Sequence, residues 1–563
     1  MTSLDWLLMG LALFFIIAYG VYKNRKDTTI NEYLLAGKSL PWYHVGLSVM
    51  ATQASAITFL SAPGQGFTDG MGFVQFYFGL PFAMVVLSIT FIPIFHRLRV
   101  YTAYEYLENR FDTKVRVFTA VLFLIQRGLS TGISIYAPSI ILSTIFGWDI
   151  AWTNVIMGGI VLTYSVIGGT KAISYTHIQQ MIFVTAAMIF AGYLVVNLLP
   201  ADIGLVDAVK VAGKAGRVNI MDLKFNPQER YNLWSGLLGG FFLQLSYFGT
   251  DQSQVGRYLT AKSIKQSRIG LLMNGLIKIP MQFGILLIGV LVFVFYQFNS
   301  SPVFFNTVET DKLVNSEYAA EYRLLEDRHA ALGKQKEVEI RKLHEAIQSE
   351  KQPEIEISQS TIQSLDKQSK ELKKEVSGLI KKNNPTGDSN DVNYIFLRFI
   401  LDHLPHGFIG LLIAIIFSAS MGSVASAYSS LAATSLVDVV RKTTNKEISS
   451  DLELKYSKYL TIFWGLFCIL IASFTHKLGS SMIELVNILG SWFYGIILGI
   501  FLVAFYTKSI GSKAIFWGAI ISQILVIAIW KYELVAFLWL NPIGVGLVFA
   551  FSWSIQKLTI TSK

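Results

Sequence analysis

Two stretches of small polar residues stand inside otherwise apolar segments of this 563-residue chain. Residues 48–66 and 418–430 contain Ser, Thr, Gly and Ala where a membrane helix ordinarily has Leu and Phe. At membrane depth such residues occur where helices pack closely, or where backbone and hydroxyl oxygens line a cavity. Because the two stretches lie far apart in sequence, they predict an ion and substrate site built between two helices.

The elements that position this site are predicted to be membrane helices. The chain is 53% hydrophobic, with a mean hydropathy of +0.49. Apolar runs of about 18 to 25 residues recur, each long enough to cross a bilayer. The ninth is overlong and is expected to tilt or to continue outside the membrane. The predicted spans, about thirteen in number, are 4–22, 42–67, 73–95, 116–146, 150–168, 174–199, 232–255, 269–297, 392–438, 457–475, 481–505, 513–530 and 534–556.

Charge predicts the orientation of these spans. The net charge is +10, and the basic residues concentrate in alternate loops. The positive-inside rule then places the N-terminus outside and the C-terminus in the cytoplasm of a multi-pass cell (inner) membrane protein. The basic excess faces anionic lipid of the bilayer, so no nucleic-acid partner is predicted. The first span lacks a basic n-region and a small-residue cleavage site, which favours a retained helix over a signal peptide.

A charged insert, residues 299–391, interrupts the apolar pattern. Apolar residues recur there at helical spacing, and Pro353 marks a turn between two helices. We expect an extracytoplasmic helical hairpin with an unidentified partner; a disordered charged loop is the alternative. The residues of the apolar stripe are Leu324, Leu332, Leu343, Ile347, Ile362, Leu365, Leu372, Val376 and Leu379.

Motifs of soluble enzymes do not occur in the sequence. It has no P-loop, no G-x-S-x-G and no His/Cys set with metal spacing. The single cysteine, Cys468, excludes an intramolecular disulfide and argues against a metal cage. The chain is therefore predicted not to be an enzyme, an ATP-driven pump or a cofactor-binding protein.

Two of the predicted spans are interrupted by polar residues at corresponding places. Span two carries Gln53 in its centre, and span seven carries a polar run at 244–252. The two lie five spans apart, which fits two inverted five-helix repeats with broken first helices; packing-rich helices without a site are the alternative. The predicted division is 1–40 (N-terminal helix and loop), 41–199 (repeat one), 232–298 with 392–505 (repeat two), 299–391 (insert) and 506–563 (C-terminal spans).

Three motifs carry a resemblance to the sodium:solute symporter family. Residues 249–259 read GTDQSQVGRYL and match G-x-(N/D)-Q-x-x-(V/I)-x-R-x-L; residues 168–172 with 175–179 match a second family motif except at one position. Residues 125–138 look like the iodide, monocarboxylate and vitamin branch. The resemblance covers about residues 30–510 without the insert. It implies an all-α membrane protein of about 13 transmembrane helices, with a 5+5 inverted-repeat core of the leucine-transporter type.

The resemblance also implies a sodium site. The family's shared site takes backbone carbonyls from Ala51, Ala54 and Ala419 and a hydroxyl from Ser423. Gly422 stands where many members have a second serine, so the coordination number is open. Packing of small residues between helices is the alternative reading of these positions.

A second sodium site, present in some members, depends on an aspartate at the position of His177. A neutral imidazole is a poor ligand for sodium, and a protonated one repels it. One sodium per cycle is therefore predicted.

Polar and charged residues inside the spans are the substrate candidates. Arg127 has no acidic residue at i±3 or i±4, and a guanidinium suits a carboxylate; snorkelling or pairing with a carboxylate is the alternative. Tyr247 is either a gate or a packed aromatic residue. Ile57 and Thr58 replace two residues that sugar-carrying members use, which disfavours hexose. The predicted contacts are Gln53, Thr58, Arg127, Gln244, Tyr247 and Lys278.

These patterns together predict a sodium-coupled secondary symporter that imports a small organic solute, with a carboxylate among the candidates. Sodium is the coupling ion, and no other cofactor is implied. A transporter-like sensor, and symport of a neutral solute such as a sugar or of an inorganic anion, are the alternatives. The sensor is disfavoured because the sequence ends soon after the thirteenth span.

Overall fold

The structure, a computed structural model, describes residues 1–23, 38–98, 100–167, 170–444, 449–475 and 481–561. Within these ranges the regular structure is helical, and the one β-type pairing is an isolated bridge between Leu40 and Ala261. The α-helices are α1 (Ser3–Lys23), α2 (Trp42–Gln53), α3 (Ala62–Asp69), α4 (Leu80–Ile89), α5 (Phe91–Leu98), α6 (Glu105–Arg110), α7 (Thr113–Phe146), α8 (Ile150–Ile167), α9 (Thr170–Asn197), α10 (Leu205–Lys214), α11 (Gly240–Thr250), α12 (Gln252–Tyr258), α13 (Ile264–Phe298), α14 (Thr307–Val314), α15 (Ala319–Gln348), α16 (Gln352–Asn383), α17 (Ile395–His403), α18 (Phe408–Thr434), α19 (Arg441–Thr444), α20 (Ser450–Ala472), α21 (Met482–Tyr506), α22 (Ser512–Lys531) and α23 (Leu540–Thr561).

The long apolar helices identify a multi-pass membrane protein. In the described part of the chain, nine helices are long and apolar enough to cross a bilayer. Two shorter apolar helices, Ser3–Ile16 and Ile150–Val166, accompany them. The predicted all-helical membrane fold is confirmed. The count of thirteen spans stays a prediction, because spans two and seven are each divided into short helices that length alone does not identify.

The ninth predicted span is two helices and not one tilted helix. Helix α17 ends at His403, and α18 begins at Phe408. Pro405 lacks a backbone N–H, and Gly407 takes φ +89°, a conformation that favours glycine. The overlong span is thus divided into two helices, and its continuation outside the membrane stays a prediction.

The insert contains a long antiparallel hairpin of α15 and α16. Pro353 lies in the first turn of α16, where its missing N–H costs nothing. Leu343, Ile362 and Val376 are buried, but Leu324 of the predicted stripe is 51% exposed and faces away from the partner helix. Lys336 and Asp366 form an ion pair of 2.6 Å between the two helices.

Helices α3 and α13 pack backbone against backbone. A Cβ atom at Gly289 would collide with the Pro63 carbonyl, and one at Gly64 would collide with the carbonyl of Val392. Such close approach requires glycine. Helix α3, helix α13 and the segment that returns from the insert therefore form one tightly packed unit.

Candidate functional site

Span two breaks between α2 and α3. Helix α2 ends at Gln53, Ala54 is extended with φ −86° and ψ 92°, and a π-helical turn follows at Ile57–Ser61. Among the described residues, no backbone N–H bonds the Ala51 carbonyl at this helix end. Carbonyl oxygens freed in this way, at membrane depth, are suited to a cation.

Span seven breaks at Asp251, between α11 and α12. Asp251 is extended, and its Oδ1 accepts hydrogen bonds from the backbone N–H (2.8 Å) and the hydroxyl (2.5 Å) of Ser253. The Tyr494 hydroxyl of α21 donates to Oδ2 at 2.9 Å. The aspartate thus caps the second half-helix and ties it to α21.

A cavity of about 90 Å³ lies between the two broken helices, α7, α13, α18 and α21. Ala51, Ala54 and Ala419 are not among the residues that line it, so their part in a sodium site stays a prediction. Tyr77, Asn487 and Tyr494 also line the cavity and were not predicted from the sequence. Asn487 could have been predicted, because it is a polar residue inside the apolar span eleven. The predicted residues that the cavity brings together are Gln53, Thr58, Arg127, Gln244, Tyr247, Lys278 and Ser423.

Arg127 is paired across the cavity wall. Its Nη1 lies 3.8 Å from Oδ2 of Asp251, and the residue is 9% exposed. The carboxylate comes from the break in span seven and not from the helix that carries Arg127, which matches the alternative of pairing with a carboxylate. Arg127 is therefore not a free cation, although its buried Nε atom has no hydrogen-bond partner among the described residues.

Lys278 is the cavity's unpaired cation. It is 1% exposed, and within the described ranges it makes no hydrogen bond or ion pair. Both amide atoms of Gln244 and the Oε1 of Gln53 also lack partners there. Buried polar atoms are nearly always hydrogen-bonded to protein, water or ligand. The cavity therefore offers one positive charge and several unused hydrogen-bonding atoms to an occupant.

Helix α18 supplies the other wall through its small polar residues. The Ser423 hydroxyl donates to the carbonyl of Ser420 at 3.1 Å. Ser426 and Thr52 share a hydrogen bond of 3.3 Å, which joins α18 to α2 next to the break. At Gly422 a Cβ would collide with Oε1 of Gln180, so a serine there requires the Gln180 side chain to move. The side chain of Gln180 occupies the space of the second family hydroxyl.

His177 is buried beside this region. Its Nδ1 and the Ser48 hydroxyl of α2 lie 3.0 Å apart. The residue therefore connects α9 to α2 at the position where some family members have an aspartate. Gly168 and Gly169, which begin the same family motif, lie outside the described residues.

Comparisons with known proteins identify sequence relatives of this chain. A family model described as "Sodium:solute symporter family" matches residues 33–321 and 383–522, more than half of the chain. "Sodium-coupled monocarboxylate transporter 2" of Bos taurus is 32% identical over 277 residues, 48% of this chain and 44% of that protein. "Sodium/iodide cotransporter" of Homo sapiens is 32% identical over 299 residues, 51% of this chain and 43% of that protein. The match thus spans less than half the length of these relatives.

Two further comparisons extend over most of the chain. "Putative sodium-dependent multivitamin transporter" of Drosophila melanogaster is 25% identical over 528 residues, 92% of this chain and 73% of that protein. The solved outward-open state of a Na⁺-coupled sialic acid symporter superposes with a TM-score of 0.76 at 20% identity, covering 99% of this chain and 98% of that one. At that identity the likeness concerns the fold.

Proposed function

We propose that this chain, which belongs to the sodium:solute symporter family, is a sodium-coupled symporter of a small organic carboxylate. The observation that carries the proposal is the unpaired ammonium group of Lys278 in the central cavity. The activity is transport by alternating access, so no bond of the substrate forms or breaks.

An anionic substrate compensates the charge of Lys278. A lysine near the centre of a membrane helix costs about 2.5–3.5 kcal/mol on insertion scales, and such residues are normally paired. Arg127 already pairs with Asp251, but no carboxylate of the described residues lies at ion-pair distance from Lys278. A bound carboxylate supplies the missing negative charge through a charge-assisted hydrogen bond.

The unused amide groups favour an organic anion over a halide. Gln244 offers a donor and an acceptor, and Gln53 offers an acceptor. A carboxylate with a nearby hydroxyl or keto group uses such atoms, whereas a halide uses only donors. The relatives named as monocarboxylate transporters agree with this choice. Iodide is the second candidate because a relative is named for it, and a neutral sugar leaves Lys278 uncompensated.

Sodium binding is proposed where the break of α2 meets α18. The ligands are the carbonyls of Ala51, Ala54 and Ala419 and the hydroxyl of Ser423. Support comes from the Ala51 carbonyl, which has no backbone partner, and from the hydrogen bond between Thr52 and Ser426 beside the break. Neutral oxygens of this kind suit a hard cation.

Coupling follows from the position of this sodium site. An ion held between the half-helix end of α2 and helix α18 stabilises the arrangement in which Gln53 and Thr58 face the substrate. Sodium and substrate then favour the same state, and each raises the affinity for the other.

The predicted topology and domain division complete the proposal. The N-terminus and the hairpin of α15 and α16 lie outside, and the C-terminus lies in the cytoplasm of the cell membrane. Residues 41–199 form repeat one, 232–298 with 392–505 form repeat two, and 506–563 add the C-terminal spans. Support comes from the breaks in spans two and seven, which lie five predicted spans apart.

The test is uptake into proteoliposomes with an inward sodium gradient. Radiolabelled lactate, benzoate, iodide and glucose are compared, with potassium replacing sodium as the control gradient. Lys278→Gln is expected to raise the half-saturating concentration of the transported carboxylate at least about tenfold, the loss of one charge-assisted contact. Thermal stabilisation of the Lys278→Gln variant by sodium is expected to remain, because Lys278 is not a proposed sodium ligand.

The matched control is Lys265→Gln, an exposed lysine on the same helix α13. Equal uptake in sodium and potassium contradicts sodium coupling. Transport of glucose alone, or a carboxylate half-saturation unchanged by Lys278→Gln, contradicts the assignment of the substrate.

A further inference from the structure

A second polar cavity lies where the hairpin meets the membrane helices. Its volume is about 200 Å³. One wall comes from the ends of α3 and α13, and the other from α15 and α16. The family model leaves residues 322–382 unmatched, so the second wall is an addition of this chain to the family fold.

Positive charge exceeds negative charge around this cavity. Lys336 pairs with Asp366, and Lys373 pairs with Asp391 at 2.5 Å. The other two lining cations, Arg217 and Lys370, have no carboxylate at ion-pair distance among the described residues. The lining cations are Arg217, Lys336, Lys370 and Lys373, and the lining carboxylates are Asp69 and Asp366.

Arg217 is the better placed of the two unpaired cations. It lies at the C-terminal end of α3, where its Nη1 donates a hydrogen bond to the carbonyl of Thr68. Its guanidinium lies 4.5 Å from the ring centre of Phe293. The Nε atom is buried, and no hydrogen-bond partner for it occurs in the described ranges. A guanidinium held over an aromatic ring with a free N–H suits a carboxylate oxygen.

Aromatic rings also line the cavity, and one of them, Phe293, lies under the guanidinium of Arg217. Phe67 contacts Phe293 and Phe305, each at 5.7 Å between ring centres, and Tyr296 lies 5.5 Å from Phe305. The buried Nδ1 of His329 has no partner within the described part of the chain. Burial, with Lys336 and Lys373 nearby, lowers the pKa of His329 to about 4. His329 is therefore neutral at pH 7 and can hydrogen-bond without adding charge.

We propose that this cavity binds an organic carboxylate with an apolar, preferably aromatic, body. Arg217 and Lys370 hold the carboxylate, and the rings of Phe293 and Tyr296 pack against the body. The cavity is distinct from the central one. Thr58 lines the central cavity and Asp69 lines this one, and the two residues lie about 15 Å apart along the same span. The inference concerns binding at the hairpin and does not depend on the proposed sodium-coupled transport.

The test measures binding of radiolabelled benzoate to the purified full chain in sodium-free choline buffer at pH 7. Benzamide, of the same shape but neutral, and inorganic phosphate, an anion without an apolar body, serve as competitors. Saturable benzoate binding is expected, with both competitors at least about tenfold weaker. Arg217→Gln and Lys370→Gln are each expected to weaken it several-fold.

The controls separate this site from the central cavity and from misfolding. Lys374→Gln removes an exposed lysine of α16 that does not line the cavity, and it is expected to bind benzoate normally. Lys370 is exposed, so Lys370→Gln tests the site without disturbing the fold. The proposal is overturned if wild type shows no saturable binding, if either competitor equals benzoate, or if Lys278→Gln abolishes the binding. Sodium-gradient uptake, measured separately, decides the proposed function.

Discussion

The buried pair of Arg127 and Asp251 gives a quantitative prediction. Arg127→Gln leaves the Asp251 carboxylate inside the membrane domain without its cation, and Asp251→Asn leaves the guanidinium without its anion. The double variant Arg127→Gln/Asp251→Asn removes both charges. Each single variant is therefore expected to be much less stable than the double variant.

The magnitude follows from the geometry of the pair. At 3.8 Å, two unit charges attract by roughly 4 kcal/mol at an effective dielectric constant of about 20. Removing one partner of a buried pair costs about 3–5 kcal/mol, whereas neutralising both is often close to neutral. Asp251 also keeps its hydrogen bonds from Ser253 and Tyr494, so Arg127→Gln is expected to be the milder single change.

The assay is thermal unfolding of the detergent-purified protein with a double-mutant cycle. Both single variants are expected to unfold several degrees below wild type, and the double variant should recover most of the loss. Tyr494→Phe, which removes one hydrogen bond to Asp251, serves as a control with a smaller effect. Additive losses in the double variant, or single variants as stable as wild type, would refute the ion pair.

Three further predictions concern the sodium site, the hairpin and its base. Ser423→Ala should raise the sodium concentration for half-maximal uptake several-fold, while the control Ser429→Ala, on the same helix but not lining the central cavity, should not; equal values contradict the site. Deleting 322–382 with a short glycine linker should preserve sodium-driven uptake, because the residues that line the central cavity lie outside that segment; lost uptake despite normal membrane insertion contradicts this. Burial raises the pKa of Asp388 to about 7, although hydrogen bonds from Asn390 and Tyr136 oppose the shift. The protonated Asp388 carboxyl therefore stabilises the folded state fully below about pH 4, and this stabilisation is lost as the pH rises to about 7. Intrinsically corrected hydrogen exchange of residues 385–394 should therefore be faster at pH 7.5 than at pH 5.5, and Asp388→Asn should remove the difference; a difference that persists in Asp388→Asn refutes the assignment.

The broken helices were predictable because local composition determines them. Gln53 and the run of small residues around it give a helix little side-chain packing, and Asp251 caps the next helix with its own carboxylate. The same small residues let α18 approach α2 closely enough for Thr52 to reach Ser426. The signals therefore lie in short stretches of sequence, and the resemblance of residues 249–259 to a family motif strengthened them.

Contacts between distant segments were not predictable from local patterns. The partner of Arg127 lies in another span, so counting charges at i±3 and i±4 did not find it. Leu324 has the right spacing for the hairpin stripe, but its face depends on where α15 meets α16. Gln180 fills the space beside Gly422 only because α9 packs on α18. Each of these depends on how helices pack, which a single sequence does not encode residue by residue.

The backbone contact between α3 and α13 lets the hairpin amplify a small movement of the broken span into a larger displacement at its far end. Gly289 of α13 meets α3 at Pro63, and Gly64 of α3 meets Val392 in the segment that returns from the hairpin, so we expect a tilt of α3 to carry α13 and the base of the hairpin with it. Helix α15 has 30 residues and is about 45 Å long, so a tilt of about 5° moves its far end by roughly 4 Å. The sole cysteine, Cys468, is buried. A fluorophore attached through Glu350→Cys can therefore report motion of the broken span in the native sequence background, without prior removal of other thiols.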